Sequence, residues 1–288
     1  MKAVITADWH IRATRPRCRL DREWIQTQKN ALNQIVQIAN DRNCPIFAVG
    51  DIFHSNSDTS FECVKMVQEL AKKTEHGLYM LCGNHDLQYH SSLNLDRSAV
   101  GLLLGSENIF KISDYEDDVS ASNFDEKDNA GARIIFKHVL TIPKENIPPH
   151  VECETPESLL EKFPKSQWIF TGDYHKNFHY EKDGRHVVNS GCLLRQVSDM
   201  KDYSCGVYFV DTEDNFAEFI PIIDNEGIID DSYITKENER EKRIEDFVDK
   251  LKNTKSVSLD FLANVENALK QNVLSDDLKK IVGELLEC

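Results

Sequence analysis

The stretch "PIFAVGDIFH", residues 45–54, is an apolar, partly β-branched run that stops at Gly50 and then delivers Asp51 and His54. A run of that length and composition, ended by glycine, reads as a short buried strand turning into a loop. On either side lie segments with helical periodicity. In 24–42, Leu32, Ile35, Val36 and Ala39 recur at helical spacing, and 60–74 ("SFECVKMVQELAKKT") repeats the pattern. Beyond them stand two more strand-like runs, "KAVITA" (2–7) and "LYMLC" (78–82). Strand, helix, strand, helix, strand predicts parallel pairing through right-handed crossovers. In such sheets, ligands gather at the carboxyl ends of the strands.

Further runs follow at 132–136, 168–171, 186–189 and 206–210, with fewer helices between them, which predicts a mixed second sheet. From about residue 225 the pattern becomes charged and helical without strands. The reading is therefore α/β: a main domain over 1–222 and a C-terminal helical appendage over 223–288, whose apolar stripes are expected to pack on themselves or on the main domain.

The chain has 288 residues and a formal net charge of −15. That balance argues against coating nucleic acid by bulk electrostatics, which relies on basic surface. One local exception stands out. "IRATRPRCRLDR" places Arg12, Arg15, Arg17, Arg19 and Arg22 directly after His10. The eight cysteines form no C-x-x-C pair and read as reduced core residues. The run of one lysine and "AVITA" before Asp8 is too short for a signal peptide, and no apolar stretch approaches membrane-spanning length, so a cytoplasmic protein with no membrane partner is expected.

The strand ends carry the chemistry. In order they offer Asp8 and His10; Asp51 and His54; Asn84, His85 and Asp86; His138; and Asp173 and His175. In "TGDYH" (171–175), Asp173 and His175 are alternate residues, so on extended backbone they point the same way. Carboxylate, amide oxygen and imidazole converging on one sheet edge suit Mn²⁺, Fe, Zn²⁺ or Mg²⁺, and the supply is enough for two divalent ions sharing a bridging carboxylate. His90, His150, His179 and His186 read as surface residues.

Asp-x-His, Gly-Asp, Gly-Asn-His-Asp, a lone His and then Gly-x-x-His, in that order over roughly 1–212, resembles the calcineurin-like metallophosphoesterases. Within that superfamily, "GDIFH", "LCGNHDL", "VVNSGCLLRQ" and "DWHIRATRPRCRLDREWIQTQ" are most similar to the SbcD-type DNA repair nuclease subunit, in particular its phage and prophage relatives. The resemblance implies a layered β-sandwich of mixed sheets flanked by helices. It implies one metal held by Asp8, His10, Asp51 and His175, and a second by Asp51, Asn84, His138 and Asp173. His85 would give the leaving oxygen a proton or stabilise the phosphoryl charge, Asp86 would orient His85, and His54 would act near the scissile phosphate. Arg12, Arg15, Arg17 and Arg19 are candidates to bind substrate phosphates.

Asp173 stands where the family usually has histidine. The added carboxylate makes the site less positive and tilts the metal toward Mn²⁺ or Mg²⁺ over Zn²⁺. The expected reaction is metal-dependent phosphodiester hydrolysis, with DNA as substrate in an exo- or endonuclease. An SbcC-like coiled-coil ATPase and a second copy of the chain are the expected partners, in a bacterial host cell if the protein is phage-encoded. The rival reading is a stand-alone phosphodiesterase or phosphatase for a nucleotide or other small phosphoester.

Overall fold

The computed structural model describes residues 1–115, 118–123, 131–224, 228–230 and 232. The chain divides into a unit Met1–Asp230 and a unit Asp231–Cys288, so the first runs past the expected edge at 222. The helical appendage falls almost wholly outside the described residues.

The expected alternation opens the chain: β1 (Lys2–Thr6), α1 (Trp24–Asp41), β2 (Ile46–Val49), α2 (Phe61–Ala71) and β3 (Leu78–Leu81). Then come α3 (Ala99–Leu103), β4 (Ile109–Lys111), β5 (Val119–Ser122), β6 (Ile134–His138), α4 (Pro156–Lys162), β7 (Trp168–Gly172), β8 (Phe178–Lys182), β9 (Arg185–Asn189), β10 (Gly206–Asp211) and β11 (Phe216–Pro221). The helix starts are chemically marked. The Ser60 hydroxyl accepts the Cys63 N–H to cap α2, and Thr155 and Ser158 form a reciprocal capping box with Pro156 at the opening of α4.

Two mixed sheets result, a six-stranded one in the order β11-β10-β1-β2-β3-β4 and a five-stranded one in the order β5-β6-β7-β9-β8. β1 to β4 are mutually parallel, and so are β5, β6, β7 and β9. β10 runs antiparallel to β1, β11 to β10 and β8 to β9. The strands β4, β5, β8 and β11 escaped the sequence reading. β8 and β11 lie at the sheet edges with mostly exposed or half-buried residues, so neither shows a continuous apolar run.

Alternation along each strand sorts residues into layers. Val4, Ile46, Ala48, Leu78 and Met80 face α1, α2 and α3 in one core, while Ala3, Ile5, Phe47, Val49 and Leu81 face the second sheet. The second sheet answers with Ile134, Phe136, Trp168, Phe170 and Val188 inside, and packs Ile135, Ile169 and Val187 against Leu159, Leu160 and Phe163 outside. The sandwich is thus flanked by helices on both faces. An aromatic ladder crosses its middle: Tyr79 stacks on Phe47 at 5.1 Å, Phe47 on Phe136 at 4.9 Å, and Phe136 meets Phe170 at 4.8 Å. His186 extends the ladder by stacking on Trp168 at 4.0 Å, so it is a buried residue and not the surface histidine that its polar neighbours suggested.

Because β1, β2, β3, β6 and β7 are parallel within their sheets, the loops after them, with the candidate residues, share one edge of the sandwich. Phe47 ties the two sheets together just below that edge. Phe47→Ala removes a fully buried ring and should cost about 3–5 kcal/mol of unfolding free energy in denaturant titrations. A loss under about 1 kcal/mol would show that the sheets re-close without it.

Candidate metal centre

The ligand loops leave their strands by a backbone conformation that side chains disfavour. Asp8, His10, Asp51 and Asp173 all have left-handed φ, at 51°, 44°, 50° and 74°. Such residues cost about 1–3 kcal/mol each unless their surroundings hold them. Here the loops hold one another. The N–H groups of Asp8, His10 and Ile11 donate to the carbonyls of Gly50, Asp51 and Ile52 at 3.1, 3.0 and 2.9 Å, extending the pairing of β1 with β2 past its end. The Asp173 N–H donates to both oxygens of Asp8, at 3.1 Å each.

Two groups of ligand atoms form, Asp8 with His10 and His175, and Asp8 with Asp51 and His138, the atoms of each within 4.8 Å of one another. The Nε2 atoms of His10 and His175 are 3.1 Å apart. Asp51 stands between the groups, with Oδ2 3.6 Å from His10 Nε2 and Oδ1 3.5 Å from His138 Nε2. Asn84 Oδ1 lies 3.2 Å from the same His138 nitrogen. Asp8, His10, Asp51 and His138 are buried, and His175 is half-buried.

The donors are oriented as ligands. His138 Nδ1–H donates to the Val49 carbonyl at 2.8 Å, which turns its Nε2 toward Asp51 and Asn84, where it can ligate once its proton is lost. His85 Nδ1–H donates to the His54 carbonyl at 2.8 Å while its backbone N–H donates to Asp51 Oδ1 at 3.0 Å. Asp51 Oδ2 is buried and accepts no hydrogen bond among the described residues, a state that costs about 1–3 kcal/mol unless a cation or donor fills it. The residues therefore fit divalent ions.

Electrostatics agree. Burial pushes the Asp8 carboxyl well above its ordinary range, and the Asp51 and Asp173 charges push the same way. Burial likewise lowers the His10 and His175 imidazoles, favouring the neutral ring that a metal needs. Burial alone would also lower His138, but the Asp51 carboxylate, by charge and hydrogen bond, and the Asp8 charge push it up to about 10. The same contact holds Asp51 below the usual carboxylate range in spite of its burial.

Several expectations need correction. Asp86 does not orient His85. Its buried carboxylate accepts the N–H groups of Ile52, Phe53 and Gly83 at 3.1, 2.8 and 2.9 Å and so fastens the loop after β2 to the loop after β3. Arg19 is no phosphate ligand, because it is fully buried and its guanidinium is closed by Asp21 at 2.6 and 2.9 Å and by Asp224 at 2.7 and 2.9 Å. Arg15 is exposed and donates to the Asp21 carbonyl at 2.7 Å, and Arg17 is exposed. Arg12 is the member of the stretch that reaches the cluster, with Nη1 donating to His54 Nε2 at 2.9 Å. The His54 ring lies 5.8 Å from that of His10 and 6.0 Å from that of His85. The Asp173 side chain is in neither ligand group, although its charge bears on Asp8, His138 and His175.

The glycines matter for clearance more than for turning. A Cβ at Gly83 would lie 2.0 Å from Asp51 Oδ1, one at Gly172 would lie 2.6 Å from His138 Nδ1, and one at Gly50 would lie 2.2 Å from that nitrogen. Gly50 alone of these has a left-handed φ, 86°. Sequence reasoning also missed the amides that grip the ligand loops, buried at Gln28 and half-buried at Gln196. Gln196 Nε2 donates to the carbonyls of Trp9 and His10 at 3.1 and 3.2 Å, and Gln28 pairs with the backbone of Arg12. A polar residue on the apolar stripe of α1 was the available signal for Gln28.

Two outcomes follow for metal binding. Gly83→Ala should keep the far-ultraviolet circular dichroism of the fold yet lower metal affinity about tenfold or more, because Asp51 must move. Unchanged metal content after desalting would refute the clearance argument. With His138 protonated below about pH 10, metal must displace that proton, so affinity should rise between about pH 6 and 9 by up to tenfold per unit. Calorimetry in buffers of different ionisation enthalpy should register about one proton released from this imidazole, whereas a pH-independent affinity would contradict it.

No relative is found among the curated proteins. Among solved structures the chain is similar to a putative 5′-nucleotidase from Staphylococcus aureus, at 14% identity over 85% of this chain and 58% of that one, with a TM-score of 0.50. It is also similar to a dimetal phosphatase from Danio rerio (10% identity, 80% and 98% covered, TM-score 0.48) and to a novel archaeal phosphodiesterase (16%, 77% and 99%, 0.42). At 14% identity the first of these likenesses speaks for the fold alone, and nothing is argued from the other two. The sequence profile described as calcineurin-like phosphoesterase matches residues 1–276. With that match over most of its length, on a sandwich of two mixed sheets whose loops gather buried aspartates and histidines, the chain belongs to the calcineurin-like phosphoesterase family, phosphoester hydrolases that use divalent metals.

Proposed function

We propose that the chain is a phosphodiesterase with a dinuclear metal centre that cleaves nucleic acid, acting as a DNA exo- or endonuclease of the SbcD-like type. The observation that carries the dinuclear part is Asp51, a buried carboxylate standing between the two halves of the donor set, with one oxygen near His138 and the other near His10. One ion would be held by Asp8, His10, Asp51 and His175, and the other by Asp51, Asn84 and His138, with Asp173 nearby to complete or balance the charge. Mn²⁺ suits this oxygen-rich set first, with Mg²⁺, Fe or Zn²⁺ as alternatives. Such ions supply Lewis-acid polarisation of a phosphoryl group and a water of lowered pKa.

The chain's own residues do the rest. His85 is held by the His54 carbonyl and by Asp51, so its ring is fixed beside the cluster, 5.0 Å centre to centre from His10. From there it gives a proton to the departing alkoxide or stabilises charge on the phosphoryl oxygens. His54, set beside both His10 and His85, orients the phosphate as it is attacked. The nuclease reading also rests on the resemblance of the segments around these residues to the repair nucleases, and it brings a coiled-coil ATPase and a second copy of the chain as proposed partners. A small phosphoester is the second reading, favoured by the net charge of −15.

A panel in Mn²⁺ comparing single-stranded DNA, duplex ends and a small aryl phosphodiester decides between them. Hydrolysis of DNA supports the nuclease, and hydrolysis confined to the aryl ester supports the small-molecule enzyme. In either case His85→Ala should cut turnover about 10²–10⁴-fold while both metals stay bound. Metal loss in that variant would show that His85 is a ligand.

A further inference from the structure

Gln28 sits on the buried face of α1, 1% exposed, between apolar neighbours such as Trp24, Ala31 and Leu32. A primary amide there is costly unless its groups are bonded. Both of its ends serve one residue: Oε1 accepts the Arg12 N–H at 3.0 Å and Nε2 donates to the Arg12 carbonyl at 2.9 Å. Trp24 Nε1, also from α1, donates to the same carbonyl at 3.1 Å. Two buried side chains thus fix the backbone of an arginine two positions after His10.

The arginine they hold points to the site. Its Nη1 donates to His54 Nε2, and the His54 ring is within 6.0 Å of those of His10 and His85. The guanidinium is therefore placed one side chain beyond the ligand groups and not among them. A lone phosphate seated at the ligands is served by them, whereas a substrate with a second phosphate carries that charge outward, toward such a position. Arginine is suited to this because its planar fork of five N–H donors can serve His54 and a phosphate together.

We infer that Arg12 is a specificity-determining residue that grips a phosphate flanking the one being cleaved, and that Gln28 is the positioning residue that delivers it. The inference rests on the phosphodiesterase reading above and narrows its substrate to nucleotide chains with a flanking phosphate.

The test uses the full chain loaded with Mn²⁺ and the thymidine dinucleotides TpT, pTpT and TpTp. Hydrolysis rates are measured, together with equilibrium competition of each dinucleotide against a fluorescent oligonucleotide. The wild type should prefer one phosphate-extended dinucleotide over TpT by about tenfold to a hundredfold, chiefly through KM. Arg12→Ala should bring that ratio close to one, and Arg12→Lys should restore part of it. Arg12→Gln carries the same test if the alanine variant loses its metal. Gln28→Met, close in volume, should lose part of the preference with KM affected more than kcat. A wild type without preference, or a preference that survives in Arg12→Ala and Arg12→Gln, overturns the assignment of Arg12. Full preference in Gln28→Met overturns the positioning role. If no dinucleotide is hydrolysed but competition still shows an Arg12-dependent preference, the phosphodiesterase reading falls and the phosphate grip stands.

Discussion

Asp86 holds the site together. Its carboxylate collects three backbone N–H groups, from Ile52, Phe53 and Gly83, on two loops that no covalent link brings near each other. Hydrogen bonds to a charged acceptor contribute about 1.5–3 kcal/mol each, and they set the path on which Asp51 leaves β2 and Asn84 leaves β3. The cost is visible in the same group. Burial first, and then the neighbouring Asp51 charge, push the Asp86 carboxyl up to about 7 in spite of those bonds. Such a network sits at the edge of what a protein interior tolerates without positive charge, and cations at Asp51 would offset the repulsion.

The ligand backbone shows the same economy. Asp8, His10 and Asp51 occupy left-handed conformations that glycine would take without strain, but glycine carries no ligand. The strain is offset by the continued ladder from Asp8, His10 and Ile11 to the β2 loop and by Gln196 on the Trp9 and His10 carbonyls. Glycine is kept instead where a neighbour needs the space, at Gly83 under Asp51 and at Gly172 beside His138. The division follows from chemistry: residues that must donate electrons accept strain, and residues that must make room lose their side chains.

This explains what could be read from residues alone. The parallel β1-β2-β3 core was legible because helical and strand periods alternate cleanly there, and the ligands because their types recur at strand ends. Asp8, His10, Asp51, His138 and His175 come together as that order implied, with Asn84 against His138. The role of Asp86 was not legible, because its partners Ile52 and Phe53 lie on another loop and are backbone groups without a side-chain signature. Arg19 looked like its neighbours Arg15 and Arg17 because its partner Asp224 lies 205 positions away. His186 reads as a surface residue for a similar reason: the ring that covers it, Trp168, belongs to a neighbouring strand.

The arginine stretch also answers an objection that bulk charge raises. A net charge of −15 repels a polyanion at long range, yet at about 0.1 M salt the Debye length is about 10 Å, so most of that charge is screened from a phosphate at the loop edge. On the proposed reading, what a phosphate would meet there is local: His54 and His85, the guanidinium of Arg12, and any cations held by Asp51 and its neighbours. Arg19 adds nothing to that field, because its charge is matched within the fold by Asp21 and Asp224. Recognition by a few close cations, on an otherwise acidic surface, favours a substrate gripped at one or two phosphates over one tracked along its length. That is the binding mode suited to a strand end or a short nucleotide, and it reconciles an acidic protein with phosphodiester chemistry.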